Sequence, residues 1–168
     1  MATLKEVQRA VKVITEERCS HGFSAPLADV LTLLHCTSCY PTSSADVNLR
    51  AMGTVAKATG LPVGYSDHTL SMAIPAAAVA LGATIIEKHF TDSRDLPGPD
   101  HRASLNPTEL DAMVRQVREV ELALGSPLKR PTASELPVRE LVRRSVTTVR
   151  PLEKAAIIGH QDVALMRP

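Results

Sequence analysis

Helix-length amphipathic segments alternate with short apolar runs along this chain, and that alternation predicts an α/β fold with parallel strands. Two further observations agree. The apolar runs are nearly continuous instead of alternating with polar residues, as in strands covered on both faces. The units recur about every 25–30 residues, the length of a strand, a crossover helix and the next strand. A (β/α) barrel and an open doubly wound sheet both fit this order. A closed barrel needs eight strands and typically about 250 residues, so in a chain of 168 residues a barrel would be partial.

Leu4, Val7, Val11 and Ile14 recur at three- and four-residue steps and predict an amphipathic helix, with Thr3 as N-cap and Glu6 completing a capping box. Residues 19–26 read as loop, and residues 29–36 as the first strand. Residues 46–59 form a second helix with Leu49, Met52, Val55 and Ala56 inward and Gly60 at its C-terminus. The second strand covers 61–65. An alanine-rich helix over 71–81 tolerates Pro75 only in its first turn. The third strand covers 83–88, and 91–104 is a polar loop. Asn106, Pro107 and Glu109 supply N-cap, N1 proline and N3 glutamate for a helix that ends at Gly125. Residues 1–125 thus read as one domain and the proline- and charge-rich residues 126–144 as a linker. Residues 145–168 start a second unit with a strand over 145–149.

The composition excludes several classes of function. Net charge is +1 from 19 basic and 18 acidic residues, and aromatics are 2%. No basic patch invites nucleic acid or an anionic membrane, and no aromatic platform invites single strands. No run of about 18 apolar residues spans a membrane, and the N-terminus shows no signal-peptide region. The three cysteines, Cys19, Cys36 and Cys39, fit free thiols in a reducing, cytoplasmic setting. Cys36-x-x-Cys39 has redox-motif spacing but follows a strand and does not open a helix.

Polar residues gather just after the predicted strands, where parallel α/β folds build their sites. The first strand leads to Thr37, Ser38 and Tyr40. The second leads to Ser66, Asp67 and His68; the third leads to Glu87, Lys88 and His89, then to Asp100 and His101. Strands joined by one right-handed crossover end on the same rim. His68 and His89 therefore face one mouth at about one strand spacing, ~4.8 Å, close enough to share a divalent cation. The plainer readings are a pair of hydrogen-bonded histidines, an Asp67 that caps the following helix, and a Ser66 that satisfies backbone. Strand alternation sends either Glu87 or Lys88 away from the mouth.

The segments Leu34-His35-Cys36-Thr37-Ser38-Cys39-Tyr40-Pro41, Gly64-Tyr65-Ser66-Asp67-His68-Thr69, Ile86-Glu87-Lys88-His89-Phe90-Thr91 and Gly98-Pro99-Asp100-His101 resemble, in order and spacing, the sialic acid synthase family. The resemblance implies the last three strands of a (β/α)8 TIM barrel followed by the truncated start of an antifreeze-like domain. It implies condensation of phosphoenolpyruvate with an N-acetylated amino sugar resembling N-acetylmannosamine, assisted by Mn2+ or Mg2+. By motif, His68 and His89 match metal-binding histidines and Ser66 a phosphate contact. Tyr40, Ser38 and Asp100 match residues of the sugar pocket, although the family often has asparagine at Ser38. A homodimer is the family's usual assembly. The family's metal-adjacent glutamate and phosphoenolpyruvate lysines belong to strands that precede this segment, so a non-catalytic remnant is the competing reading. A third, an octulosonate-synthase type of barrel, fits the Ser-Asp-His and Lys-His-Phe pairing less well. Lys154-Ala155-Ala156 stands where the family has a Lys-Gly-Glu-like turn.

Overall fold

The computed structural model describes residues 1–167. Two compact units, 1–125 and 126–168, divide the chain. In the first, helix α1 (Leu4–Ser20) is followed by strand β1 (Leu33–Cys36), helix α2 (Ala51–Thr59) and strand β2 (Val63–Asp67). Helix α3 (Ala73–Ala80), strand β3 (Ile86–Lys88) and helix α4 (Pro107–Leu124) complete it. The three strands form one parallel sheet in the order β1-β2-β3, with Leu33 opposite Val63 and Tyr65 opposite Ile86. This is the expected α/β architecture with its crossover helices.

Alternation along β2 divides its neighbours. Val63 and Tyr65 are buried in the core with Val47, Met52 and Ala78, while Leu33, Leu49, Val55, Ile74 and Ile86 pack around them. α2 and α3 lie against β2, and α4 lies against α3. Gly64, on the opposite side of the strand, is held against Leu34 and Ile85. That side carries no helix from the described residues, which leaves Leu34 36% and Ile85 47% exposed.

Both capping boxes form: Thr3 with Glu6 on α1, and Asn106 with Glu109 on α4, whose N1 residue is Pro107. Pro75 falls within the first turn of α3. Other boundaries shift. The second helix is shortened because Asn48, at φ 49°, breaks it after a separate 3-10 turn at Ser44–Asp46. α1 buries none of its apolar stripe; its main neighbour is α2. The loop after β3 is tied down: Arg94 reaches Glu109 at 2.8 Å and the Ser104 carbonyl at 3.0 Å.

The second unit, described by itself, holds helix α5 (Glu135–Val142) inside the segment expected to be linker. Strands β4 (Ser145–Thr148) and β5 (Val163–Met166) pair antiparallel, Ser145 opposite Met166; β5 has no counterpart in the sequence reading. Buried Asp162 accepts from Arg150 Nε at 2.7 Å and from the Gly159 N–H at 2.8 Å, which closes the long connection. Ala155 adopts φ 68°, a left-handed conformation that costs a residue with a Cβ about 1–2 kcal/mol. Ala155→Gly is expected to stabilise this unit by about 0.5–1 kcal/mol, because the greater freedom of glycine in the unfolded chain offsets part of the relief. Chemical denaturation followed by far-ultraviolet circular dichroism checks it; a lower midpoint for the variant would contradict the strain.

Candidate functional site

The C-terminal ends of the three strands bring three rings together. Tyr40 lies 4.2 Å from His68 and 5.6 Å from His89, centroid to centroid, and the two imidazoles meet edge-on at 5.1 Å. The sheet register explains the meeting: Asp67 is opposite Lys88, so the next position on each strand places His68 beside His89.

Neighbouring backbone holds each ring in place. The Thr42 N–H donates to the His68 carbonyl at 2.8 Å and thereby ties the loop carrying Tyr40 to the end of β2. The Leu105 N–H donates to the His89 carbonyl at 2.9 Å. Thr42 Oγ donates to the Cys39 carbonyl at 2.6 Å, and the Tyr40–Pro41 peptide bond is cis. His68 is buried, whereas Tyr40 is 52% exposed and forms the outer cover. Cys36 Sγ lies 3.7 Å from His68 Nδ1, so Nε2 is that ring's remaining nitrogen.

Ser66 is two residues before His68 on the same side of β2, and its hydroxyl donates to Glu87 Oε1 at 2.5 Å. Glu87 thus faces the mouth and Lys88 points away, to the helix-covered side. There Lys88 Nζ lies 2.7 Å from Asp67 Oδ2, the two side chains being 3% and 0% exposed. Asp67 also accepts from the Thr69 N–H at 2.9 Å. Its plainer reading, as a cap of the following helix, does not hold: Asp67 caps only the local turn at Thr69, and α3 starts later, after Met72, with no side-chain cap.

Of the six residues singled out from sequence, Tyr40, His68 and His89 form one cluster and Ser66 lies directly behind it. Ser38 is exposed at the rim, its hydroxyl 4.0 Å from Cys36 Sγ. Asp100 is exposed, and only its carbonyl is engaged, by Ser104 Oγ at 2.7 Å and by the Ala103 N–H at 3.0 Å. Its loop is fastened by His101 Nδ1, 2.7 Å from Thr91 Oγ. Glu87 and Cys36 border the cluster without having been selected. Period-two alternation narrowed Glu87 to one of two faces, and no spacing rule joins Cys36 to His68. His35 is a core histidine, its Nε2 2.9 Å from the Val47 carbonyl.

Among the described residues no three His, Cys, Asp or Glu side chains are grouped to hold a metal ion. His68 and His89 by themselves could offer at most two imidazole nitrogens, the ligand type that borderline divalent cations accept.

Tyr65, wholly buried beneath His35, has its phenol pushed well above 10, first by burial and then by the Asp67 carboxylate. The folded chain keeps this proton where the unfolded chain releases it. Stability from this group is full below pH 10 and falls as pH rises above it, by about 1.4 kcal/mol per pH unit. Urea midpoints across pH 9–11.5 should show that fall, and Tyr65→Phe should lose this component of it.

The sequence profile of the NeuB family matches residues 1–129. The chain belongs to the NeuB family. All six candidate residues lie inside the matched segment. Among relatives of this NeuB-family chain, an N,N'-diacetyllegionaminic acid synthase from Legionella pneumophila is 49% identical over the whole chain, which covers 46% of that protein. Human N-acetylneuraminate-9-phosphate synthase is 39% identical over 94% of the chain and 41% of its own length. The crystal structure of N-acetylneuraminic acid (sialic acid) synthetase from Leptospira borgpetersenii aligns with TM-score 0.69 and 37% identity, over 83% of the chain and 46% of that protein. The NeuB-family chain thus spans about half the length of the curated relatives it matches.

Proposed function

We propose that this chain carries the metal-binding rim of a synthase that condenses phosphoenolpyruvate with an N-acylated amino sugar to give a nonulosonic acid and phosphate. The observation that carries this reading is the contact of His68 and His89 beneath Tyr40, at the ends of adjacent parallel strands of a NeuB-family chain. The relatives' names supply the product class: legionaminic acid, and N-acetylneuraminate 9-phosphate. The sheet would form the last three strands of a (β/α)8 barrel, and residues 145–168 the beginning of an antifreeze-like segment. A cytoplasmic homodimer is the assembly in which we expect it to work.

In the condensation, C3 of phosphoenolpyruvate forms a bond to the sugar's aldehyde carbon, water adds at C2, and the C2–O bond to phosphate breaks, releasing phosphate. A bound Mn2+ or Mg2+ would supply Lewis-acid polarisation of the aldehyde oxygen. His68 and His89 would hold that cation with neutral imidazole nitrogens, and Tyr40 would cover it on the solvent side. Ser66 gives its one proton to Glu87 in this structure, so to contact a phosphate oxygen its hydroxyl must turn from that carboxylate. Ser38, exposed just after β1, and Asp100, exposed in the loop that follows β3, would meet the sugar.

The partial coverage of the relatives favours a second reading, in which this polypeptide by itself binds but does not turn over, since the reaction needs both substrates positioned together. One set of measurements addresses both. Mn2+ titration followed by electron paramagnetic resonance is expected to show binding that His68→Ala and His89→Ala each weaken by about tenfold or more. Equal Mn2+ affinity in all three proteins would refute the metal role. Nonulosonic acid formed by the purified chain alone would refute the second reading.

A further inference from the structure

We propose that Lys88 is a positioning residue for the imidazole pair: from the far side of the sheet its ammonium brackets His68 and fixes it against His89. The inference rests on the metal-site reading only for its biological purpose; the geometry is independent of which cation binds.

Lys88 Nζ donates to Asp67 Oδ2 at 2.7 Å and also to the Thr69 carbonyl. These acceptors belong to the residues on either side of His68. Asp67 in turn accepts from the Thr69 N–H at 2.9 Å and from Thr69 Oγ at 3.3 Å. Both peptide flanks of His68 are therefore tied to one ammonium, and that ammonium belongs to the residue immediately before His89. A shift of one residue between β2 and β3 would exchange the two faces of the sheet and break both bonds from Lys88, while the local bonds between Thr69 and Asp67 could persist. On the other face, the hydrogen bond between Ser66 and Glu87 marks the same register.

The burial of this pair argues that it does more than stabilise. Removing two charges from water is costly, and well-packed apolar side chains of similar volume often serve stability as well or better. A fully buried ion pair next to two convergent imidazoles has a geometric use: it selects one strand-end arrangement. Groups behind metal ligands commonly change affinity by about 10–100-fold when removed.

Copper(II)–iminodiacetate, which accepts two imidazoles side by side, probes this arrangement directly. The full 168-residue chain is compared with Lys88→Met, with the double variant Asp67→Asn plus Lys88→Met, and with His89→Ala as the single-imidazole floor. The double variant leaves no orphan charge, so it keeps the test alive where Lys88→Met unfolds. Wild type should bind the probe well above the floor. Folded Lys88→Met and the double variant should bind about 10–100-fold more weakly than wild type, with the double variant recovering thermal midpoint but not affinity. Affinity within twofold of wild type in the folded double variant would overturn the proposal, as would wild type no tighter than the floor. A wild type that follows the expected pattern with the copper probe but takes no Mn2+ would reject the metal reading and leave the bracket standing.

Discussion

Replacing Gly64 with alanine is expected to destabilise the first unit by about 3 kcal/mol, the upper range for forcing an atom into a packed interior. A Cβ at this position would stand 2.5 Å from the Ile85 carbonyl oxygen and 2.6 Å from Leu34 Cδ2. The Leu34 methyl can swing aside. The Ile85 carbonyl cannot, because it accepts the Tyr65 N–H at 2.9 Å and is part of the ladder joining β2 to β3. Relief must come from parting those strands, which also separates His68 from His89. Urea unfolding of Gly64→Ala measures the loss, and its affinity for a cation should fall even where the protein remains folded. A variant within about 0.5 kcal/mol of wild type, the ordinary scatter of surface changes, would mean that the strands absorb the methyl group in another way.

The second large effect concerns association. β1 and β3 are the two edges of a three-stranded parallel sheet, and unpaired edges template pairing with further chains. Leu34 and Ile85 project from them into solvent. Light scattering after gel filtration, at tens of micromolar, should report masses above the monomer's 18.0 kDa. Ile85→Lys, which places a charge on one apolar edge, should shift the distribution toward monomer. A wild-type monomer that persists at all concentrations would show that the edges are protected.

Much of the first unit was legible because its signals are local. Asn106, Pro107 and Glu109 specify the start of α4 within four residues, and Thr3 with Glu6 does the same for α1. The strand runs are legible but their bounds are not, since an apolar run does not say where pairing starts or stops. Val30 belongs to no strand, β1 begins only at Leu33, and β2 covers Val63–Asp67, two residues beyond the expected 61–65. β5 escaped because its four residues become a strand only through pairing with β4 across a long connection. In the site, the two histidines followed from topology, whereas the neighbours that shape them did not. The bracket formed by Lys88, Asp67 and Thr69 needs both strand register and side-chain reach, and Cys36 meets His68 across 32 positions of sequence.

The seating of Tyr40 on the imidazole pair has an optical consequence. The chain contains no tryptophan and two tyrosines, so emission excited at wavelengths too long for phenylalanine comes from Tyr40 and Tyr65. Tyr65 is sealed in the core, and Tyr40 lies over the two histidines with half its surface in solvent. Anything that settles on those histidines is expected to change the surroundings of Tyr40 more than those of buried Tyr65. Unlabelled protein therefore carries its own gauge of occupancy, with an internal reference in the same spectrum.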